Sequence, residues 1–433
     1  MKLKVLLVNP WIYDFAAYNL WSAPLGLFRV AEYLSSFDAE LSFIDCTYSF
    51  EIKEYGTGRF RTERAVKPAL LRDMPRQYKR YGISTDEFVQ KLKSFYPVDI
   101  VLLTCVMSYW YPGAQKAVEI IRDVMGNVPV ALGGIYSTLY HDHACANSGA
   151  NFIYRGPLDK NLDFALESFG FRLKRKRNPK PYYRLNLRKS YAFAPVLSSS
   201  GCPFMCPYCA SNTLSDGYSR AKPHVVVKDI TELCGAGIRD YAFYDDALLF
   251  EPGKHIKPLL RGIIGKSLTA RFHTPNGLHA RFIDEQLASL MKAANFRTIR
   301  LALETADEQK QKTMGNKVNN DEMARAIRCL GKEGFTKKEL GVYLMYGLPG
   351  QPLKEVREGI LFLKSLNVRI HLAEFSPIRG TELWKELVQD GVIDDALDPL
   401  LTNNTVFSYL YSGYDPEEIE QMKLLVKLHN EVV

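Results

Sequence analysis

The strongest constraint on this chain is an alternation, run twice, of short apolar segments with segments of helical spacing. Parallel strands need a crossover between them, and an apolar run followed by a 3.6-period stretch supplies one, so the pattern predicts βα units and parallel sheets. The first series has strand-like runs at 4–8, 40–45, 98–105, 128–132 and 151–154, with helical spacing at 25–34 and 114–124. It predicts a doubly wound, Rossmann-like parallel sheet with ligands at the carboxyl ends of the strands. The second series has strands at 194–199, 240–244, 270–273, 298–303, 340–345 and 369–375, with helices such as 284–294 and 321–333 between them. Six βα units make a partial (βα)6 barrel whose strand ends face one mouth. The expected domains are therefore a sheet domain at 1–170, a linker at 171–190, a barrel at 191–385 and a helical extension at 386–433. Residues 46–97 interrupt the first series and read as a partly helical insertion or lid, or as a solvated surface elaboration.

Composition narrows the class. Of 433 residues, 47% are apolar and 24% charged, which excludes disorder, collagen and coiled coil. No apolar run is long enough to span a bilayer, so no transmembrane segment is expected. The opening residues 1–8 resemble a signal peptide only briefly; Asn9-Pro10 ends the run without a small-residue cleavage site, and a buried first strand is the better reading. A cytoplasmic, reducing location follows as an expectation. The formal charge is +8, but the stretch from Arg172 to Lys189 alone carries nine Lys/Arg and no Asp/Glu, so the excess marks the linker rather than a nucleic-acid surface.

Eight cysteines are present. Cys46, Cys105, Cys145, Cys234 and Cys329 are scattered and read as small buried apolar residues. Cys202, Cys206 and Cys209 stand in C-x3-C-x2-C spacing, which chance would place in a chain of this composition with odds of about 0.3%. Three thiolates can hold three irons of a [4Fe-4S] cluster and leave the fourth open to a ligand. A structural zinc site needs a fourth protein ligand, and the nearest candidate is His224, fifteen residues on.

Ser200 to Cys209, directly after a predicted strand and with Tyr208 before the last cysteine, resembles the radical S-adenosylmethionine (SAM) enzymes. The resemblance implies a [4Fe-4S] cluster on Cys202, Cys206 and Cys209, and SAM chelated to the open iron. Asp245 and Asp246 match the segment that holds the methionyl amino group, and Glu304 the acid that binds the ribose hydroxyls. Val342 to Gly350, with Tyr343 and Gly347, resembles the segment lying against adenine. Asn276, in Thr274-Pro-Asn-Gly277, matches a signature of the cobalamin-associated branch, and Lys317 is a candidate partner for the methionyl carboxylate. The residues themselves leave blander readings open: Asp246 as a helix cap, Glu304 as a loop carboxylate, Gly347 and Gly350 as turn residues.

The first domain resembles the cobalamin-binding domain fused to many radical enzymes. Pro24 to Leu27, Gly133-Gly134 and Gly149 to Gly156 carry the likeness, with Leu25, Gly26, Ser108, Gly133, Gly134 and Ser137 as candidate cobalamin contacts. The Asp-x-His-x-x-Gly motif that ligates cobalt from below is absent, and Gly156-Pro-Leu-Asp replaces the usual Gly-Glu-Gly-Glu. Trp110 lies where the corrin would approach, to line its face or to fill its space. The resemblance as a whole implies an enzyme that reductively cleaves SAM to a 5′-deoxyadenosyl radical and transfers a methyl group, with cobalamin, to an unactivated carbon. The alternative is a cobalamin-independent radical enzyme performing C–C bond formation, rearrangement or oxidation, its first domain binding substrate or shielding the site. A tRNA methylthiotransferase fits poorly, because no cysteine follows the first strand and no RNA-binding barrel follows residue 385. Implied partners are a small-molecule or lipid-like substrate and an electron donor such as flavodoxin or ferredoxin.

Overall fold

The structure is a computed structural model and describes residues 2–48, 50–158, 161–176 and 191–432. Most of the expected linker, 177–190, lies outside the described residues. The chain forms two compact units: Met1–Ala192 together with Leu397–Asn403, and Phe193–Ala396 together with Asn404–Val433.

In the first unit, strands β1 (Leu3–Asn9), β2 (Ala39–Asp45), β3 (Ile100–Cys105), β4 (Val130–Gly134) and β5 (Phe152–Ile153) pair in parallel in the order 2-1-3-4-5. This is the flavodoxin-like winding, whose ligand crevice opens where the order reverses, between β1 and β3. All six residues of β3 are buried, as a strand covered on both faces requires. Helices α1 (Leu25–Ser35), α2 (Thr85–Phe95) and α3 (Tyr111–Met125) belong to the crossovers. The segment 46–97 is partly helical and ends in α2. Before α2 it is mostly short strands: Lys79–Tyr81 pairs antiparallel with Ile12–Asp14 and with Thr62–Arg64, and Phe50–Ile52 pairs with Gly58–Phe60. Ile12, Phe60 and Tyr81 turn onto one small apolar core, and period-2 alternation serves that better than a helix. Helix α2 starts on a capping box made by Ser84 and Glu87.

In the second unit, β6 (Phe193–Val196), β7 (Asp240–Phe243), β8 (Arg271–Leu278), β9 (Phe296–Glu304), β10 (Leu340–Tyr346) and β11 (Arg369–Glu374) pair in parallel in chain order, as a partial barrel does. Strand β8 runs longer than expected. Thr274-Pro-Asn-Gly277 lies inside it rather than beyond it, because a register shift between Thr274 and Leu278 absorbs the proline. Helices Glu382–Gln389, Asn404–Tyr411 and Pro416–Val432 follow the last strand. Asn430 covers part of the open edge of β11, accepting from the Ile370 amide (2.9 Å) and donating to its carbonyl (2.8 Å). Among the described residues, no helix is long and apolar enough to cross a membrane. Of the scattered cysteines, Cys46, Cys105, Cys234 and Cys329 are buried as expected. Cys145 is a correction: it is exposed on a short helix, 3.6 Å from the His141 ring.

Candidate active site

The three spaced cysteines lie on a loop that leaves the barrel after β6 and returns through an antiparallel pairing of Ser199–Ser200 with Ser219–Arg220. Cys202 and Cys206 are half-buried and Cys209 is exposed. Between the first two, Phe204 stacks on His279 (ring centroids 4.6 Å apart, 23°) and meets Phe250 edge-on at 5.8 Å. Burial pushes the Cys202 thiol up to about 11, and the neighbouring thiols and Asp246 add to the shift. Burial also raises Cys206, against the pull of the Lys317 charge and a hydrogen bond with Tyr208. Gly315 closes on Cys206 from the loop after β9. Its φ is +94°, and a Cβ there would lie 2.7 Å from the Cys206 sulfur, so the approach requires glycine.

These thiols line a cavity of about 440 Å³ at the carboxyl end of the barrel, together with Tyr208, Asp246, Asn276, Glu304, Lys317 and Tyr343. Six of the eight residues expected at a SAM site are thus brought together. Glu304 ends β9 at φ 65°, next to a bulge that re-aims its side chain. Its Oε1 pairs with the Lys317 ammonium at 2.5 Å and accepts from the Tyr208 hydroxyl at 3.2 Å. Burial alone would lower the Lys317 pKa, but Glu304 and the nearby thiols hold it above the ordinary lysine value. Asn276 donates to the Tyr244 carbonyl (2.9 Å), and Tyr343 donates to that of Pro275 (2.9 Å), crossing from β10 to β8. Burial raises the Asp246 pKa, opposed by a hydrogen bond from Ser211.

Two of the eight sit elsewhere. Asp245 is buried and turned into the barrel, where Ser198 and Ser199 donate to it; the alternation along the segment points it opposite to Asp246. Gly347 does not line the cavity, and what lies against it is Ser408 of the helix Asn404–Tyr411. Sequence reasoning missed His279, Ser211 and Gly315. His279 is buried, lines the cavity and is held neutral, its pKa pushed down to about 3 by burial and by the charges of Lys317 and Arg281. A signal existed for two of them, since His279 stands three residues after Asn276 and Gly315 two residues before Lys317.

In the first unit the gap at the switch point, lined by Asn9, Pro24, Thr47, Thr104, Cys105 and Trp110, has a volume of only about 20 Å³. Trp11 also lines it and is buried, and Trp110 donates to the Asp14 carboxylate (2.7 Å). Of the candidate cobalamin contacts, Ser108 and Ser137 are both buried, and Ser137 donates to the Gly134 carbonyl at 3.0 Å. Leu25 is half-buried at the first turn of α1. A Cβ at Gly26 would meet nothing within 4 Å, and one at Gly133 only Tyr154 at 3.8 Å. Gly134 is exposed, but a Cβ there would lie 2.5 Å from the Cys105 carbonyl oxygen.

Comparison with known proteins places these features. Residues 196–363 match the model of the radical SAM superfamily. An uncharacterized methyltransferase of Pyrococcus horikoshii is 27% identical, the match covering 72% of this chain and 74% of that one. The cytidylyl-2-hydroxyethylphosphonate methyltransferase of Streptomyces wedmorensis is 22% identical, over 90% of this chain and 83% of its own. Among solved structures, the radical S-adenosylmethionine methyltransferase TsrM from Kitasatospora setae, with cobalamin and a [4Fe-4S] cluster bound, has a TM-score of 0.64 at 16% identity, covering 90% of this chain and 78% of that one. The cobalamin-dependent S-adenosylmethionine radical enzyme OxsB has a TM-score of 0.60 at 12% identity, covering 100% of this chain and 71% of that one. These structural likenesses show a shared fold. Residues 196–363 of the barrel therefore match the radical SAM superfamily, and the chain as a whole is similar in sequence to methyltransferases and in fold to cobalamin-dependent radical SAM enzymes.

Proposed function

We propose that this enzyme is a cobalamin-dependent methyltransferase acting on a small molecule, with Cys202, Cys206 and Cys209 as the ligands of its [4Fe-4S] cluster. One observation carries the reading: three free thiols line a single cavity with a carboxylate, an ammonium and two tyrosines at the carboxyl end of a radical SAM barrel. The donor set fits a cluster. Three thiols on one loop, all lining one cavity, are the donor type and number that hold three irons of such a cluster. The Lys317 charge also favours the thiolate form of Cys206. When bound, the cluster supplies one electron, received from a donor such as flavodoxin or ferredoxin, that cleaves the sulfonium of SAM.

The chain's own residues receive SAM. Both bonds to Glu304 go to Oε1, which leaves Oε2 to accept from ribose hydroxyls. Lys317 is the cation for the methionyl carboxylate and Asp246 the anion for its ammonium. Asn276, whose amide nitrogen is already engaged, offers Oδ1. Tyr343 braces the cavity floor. In the first unit Leu25, Gly26, Gly133 and Gly134 are the surface left to receive cobalamin, which when bound carries a methyl group to carbon.

The test is anaerobic reconstitution with iron and sulfide, with and without hydroxocobalamin. About four irons per chain, a bound corrin, and S-adenosylhomocysteine and 5′-deoxyadenosine formed on reduction are expected. A protein that takes up iron but no corrin at saturating hydroxocobalamin would be a cobalamin-independent radical enzyme. The tryptophan-filled gap at the switch point favours that second reading.

A further inference from the structure

The fold holds a buried carboxylate that the proposed chemistry does not use. Asp245, just beyond β7, is 3% exposed and has no cationic partner among the described residues. Its donors all come from the two residues that open the cysteine loop. The Ser198 amide reaches both carboxylate oxygens at 3.1 Å, the Ser198 hydroxyl donates at 2.7 Å, and the Ser199 hydroxyl donates at 2.6 Å. Behind them stands His255, fully buried, with Nε2 at 2.8 Å from the Ser198 oxygen. Because the Ser198 hydroxyl hydrogen is given to Asp245, its oxygen must accept, so His255 carries its hydrogen on Nε2. Its Nδ1 is then a bare acceptor, buried without a partner among the described residues. Burial and the Arg220 charge push the His255 pKa down to about 4, which keeps this tautomer neutral.

The position of this network is what gives it meaning. The Ser199 and Ser200 pairing with Ser219 and Arg220 closes the loop that bears all three thiols, and the Ala221 amide donates to the Ser198 carbonyl at 2.9 Å. Both chain ends of the loop therefore meet at Ser198 and Ser199, and Asp245 is the barrel group that holds those two residues. An uncompensated buried carboxylate is costly, and three separate donors offset that cost only while the loop base stays in place. Ligands on a loop are held as firmly as their support allows.

We propose that Asp245 is the anchor of the cysteine loop: a positioning residue that, through Ser198 and Ser199 and backed by His255, fixes where the three thiols stand. It touches neither the cavity nor the thiols, so it acts at one remove from the chemistry. The assignment rests on the proposed cluster reading only for its consequence, since the anchoring itself concerns the metal-free chain.

D245N tests it, because the amide keeps the shape but faces two hydroxyl donors with a donor of its own. In metal-free protein, amide hydrogen exchange across 198–220 should rise at least about tenfold while the barrel strands keep their protection. After reconstitution, iron per chain should fall by more than half, and the residual cluster should show an altered EPR spectrum. H255Q, which keeps a side-chain N–H to give, should be milder than H255A. S199A removes one donor and leaves the carboxylate, so it should fold normally with an intermediate rise in exchange; it carries the test if D245N fails to fold. Wild-type exchange in 198–220 in D245N or S199A overturns the anchor. Wild-type chain that binds no iron, with exchange raised in the variants, would instead overturn the cluster reading and leave the anchor standing.

Discussion

The two units obey one topological rule and reach opposite results. Both present the carboxyl ends of parallel strands, where ligands bind. In the barrel those ends carry thiols, a carboxylate and an ammonium around about 440 Å³ of space. In the sheet unit the corresponding gap is about 20 Å³, closed by tryptophans. Strand order thus locates a site, and side-chain volume at the strand ends decides whether there is room in it. Open surface in the sheet unit lies instead beside Gly26 and Gly133.

Five experiments press on this contrast. The largest effect should come from the thiols. C206A is expected to abolish iron uptake, whereas C145A, which removes an exposed cysteine of the sheet unit, should leave iron per chain unchanged; equal iron in both would refute the ligand set. Next, G315A forces a Cβ to 2.7 Å from the Cys206 sulfur at a φ of +94°. It should lower iron content severalfold and cost about 1–3 kcal/mol in chemical denaturation. E304Q leaves Lys317 without its carboxylate and should weaken SAM binding about tenfold by calorimetry, with iron content intact.

A pH effect should follow. His255, His279 and His371, all in the barrel unit, have pKa values pushed by burial to about 4, about 3 and about 3, from 6.5. An unfolded chain takes up these protons and the folded one does not, so stability is full above about pH 6.5 and drains as pH falls toward 4. The melting temperature should drop between pH 7 and pH 5, and H279Q should flatten that slope. The smallest effect on stability belongs to the sheet unit. G26F enters open space and should change stability by no more than about 0.5 kcal/mol, yet weaken hydroxocobalamin binding. Unchanged corrin affinity would remove Gly26 from the proposed contact surface.

Much of the architecture was legible because hydrophobic period is a local property. The six barrel strands and the five of the sheet unit lie where the apolar runs stand, within a few residues at each end. The segment 46–97 was not legible, because its strands are three residues long and owe their existence to Ile12, distant in sequence. At the site, Cys202, Cys206 and Cys209 were legible by spacing and Glu304 by its place after a strand. For His279 and Gly315 the sequence held only their nearness to Asn276 and Lys317, since a lone histidine or glycine has no role until the chain folds it against Phe204 or Cys206.

Asp245 and Asp246 show the division most clearly. Adjacent in sequence and equal in chemistry, they were one motif until the backbone turned one into the cavity and the other into the barrel. The sequence by itself determined two series of parallel strands, a three-thiol loop and the mouth where chemistry belongs, because these follow from periodicity and spacing along the chain. Only the tertiary structure decided which side chains face that mouth, how much room they leave and which carboxylate holds the loop, because direction, volume and hydrogen-bond partnership exist only between segments brought together.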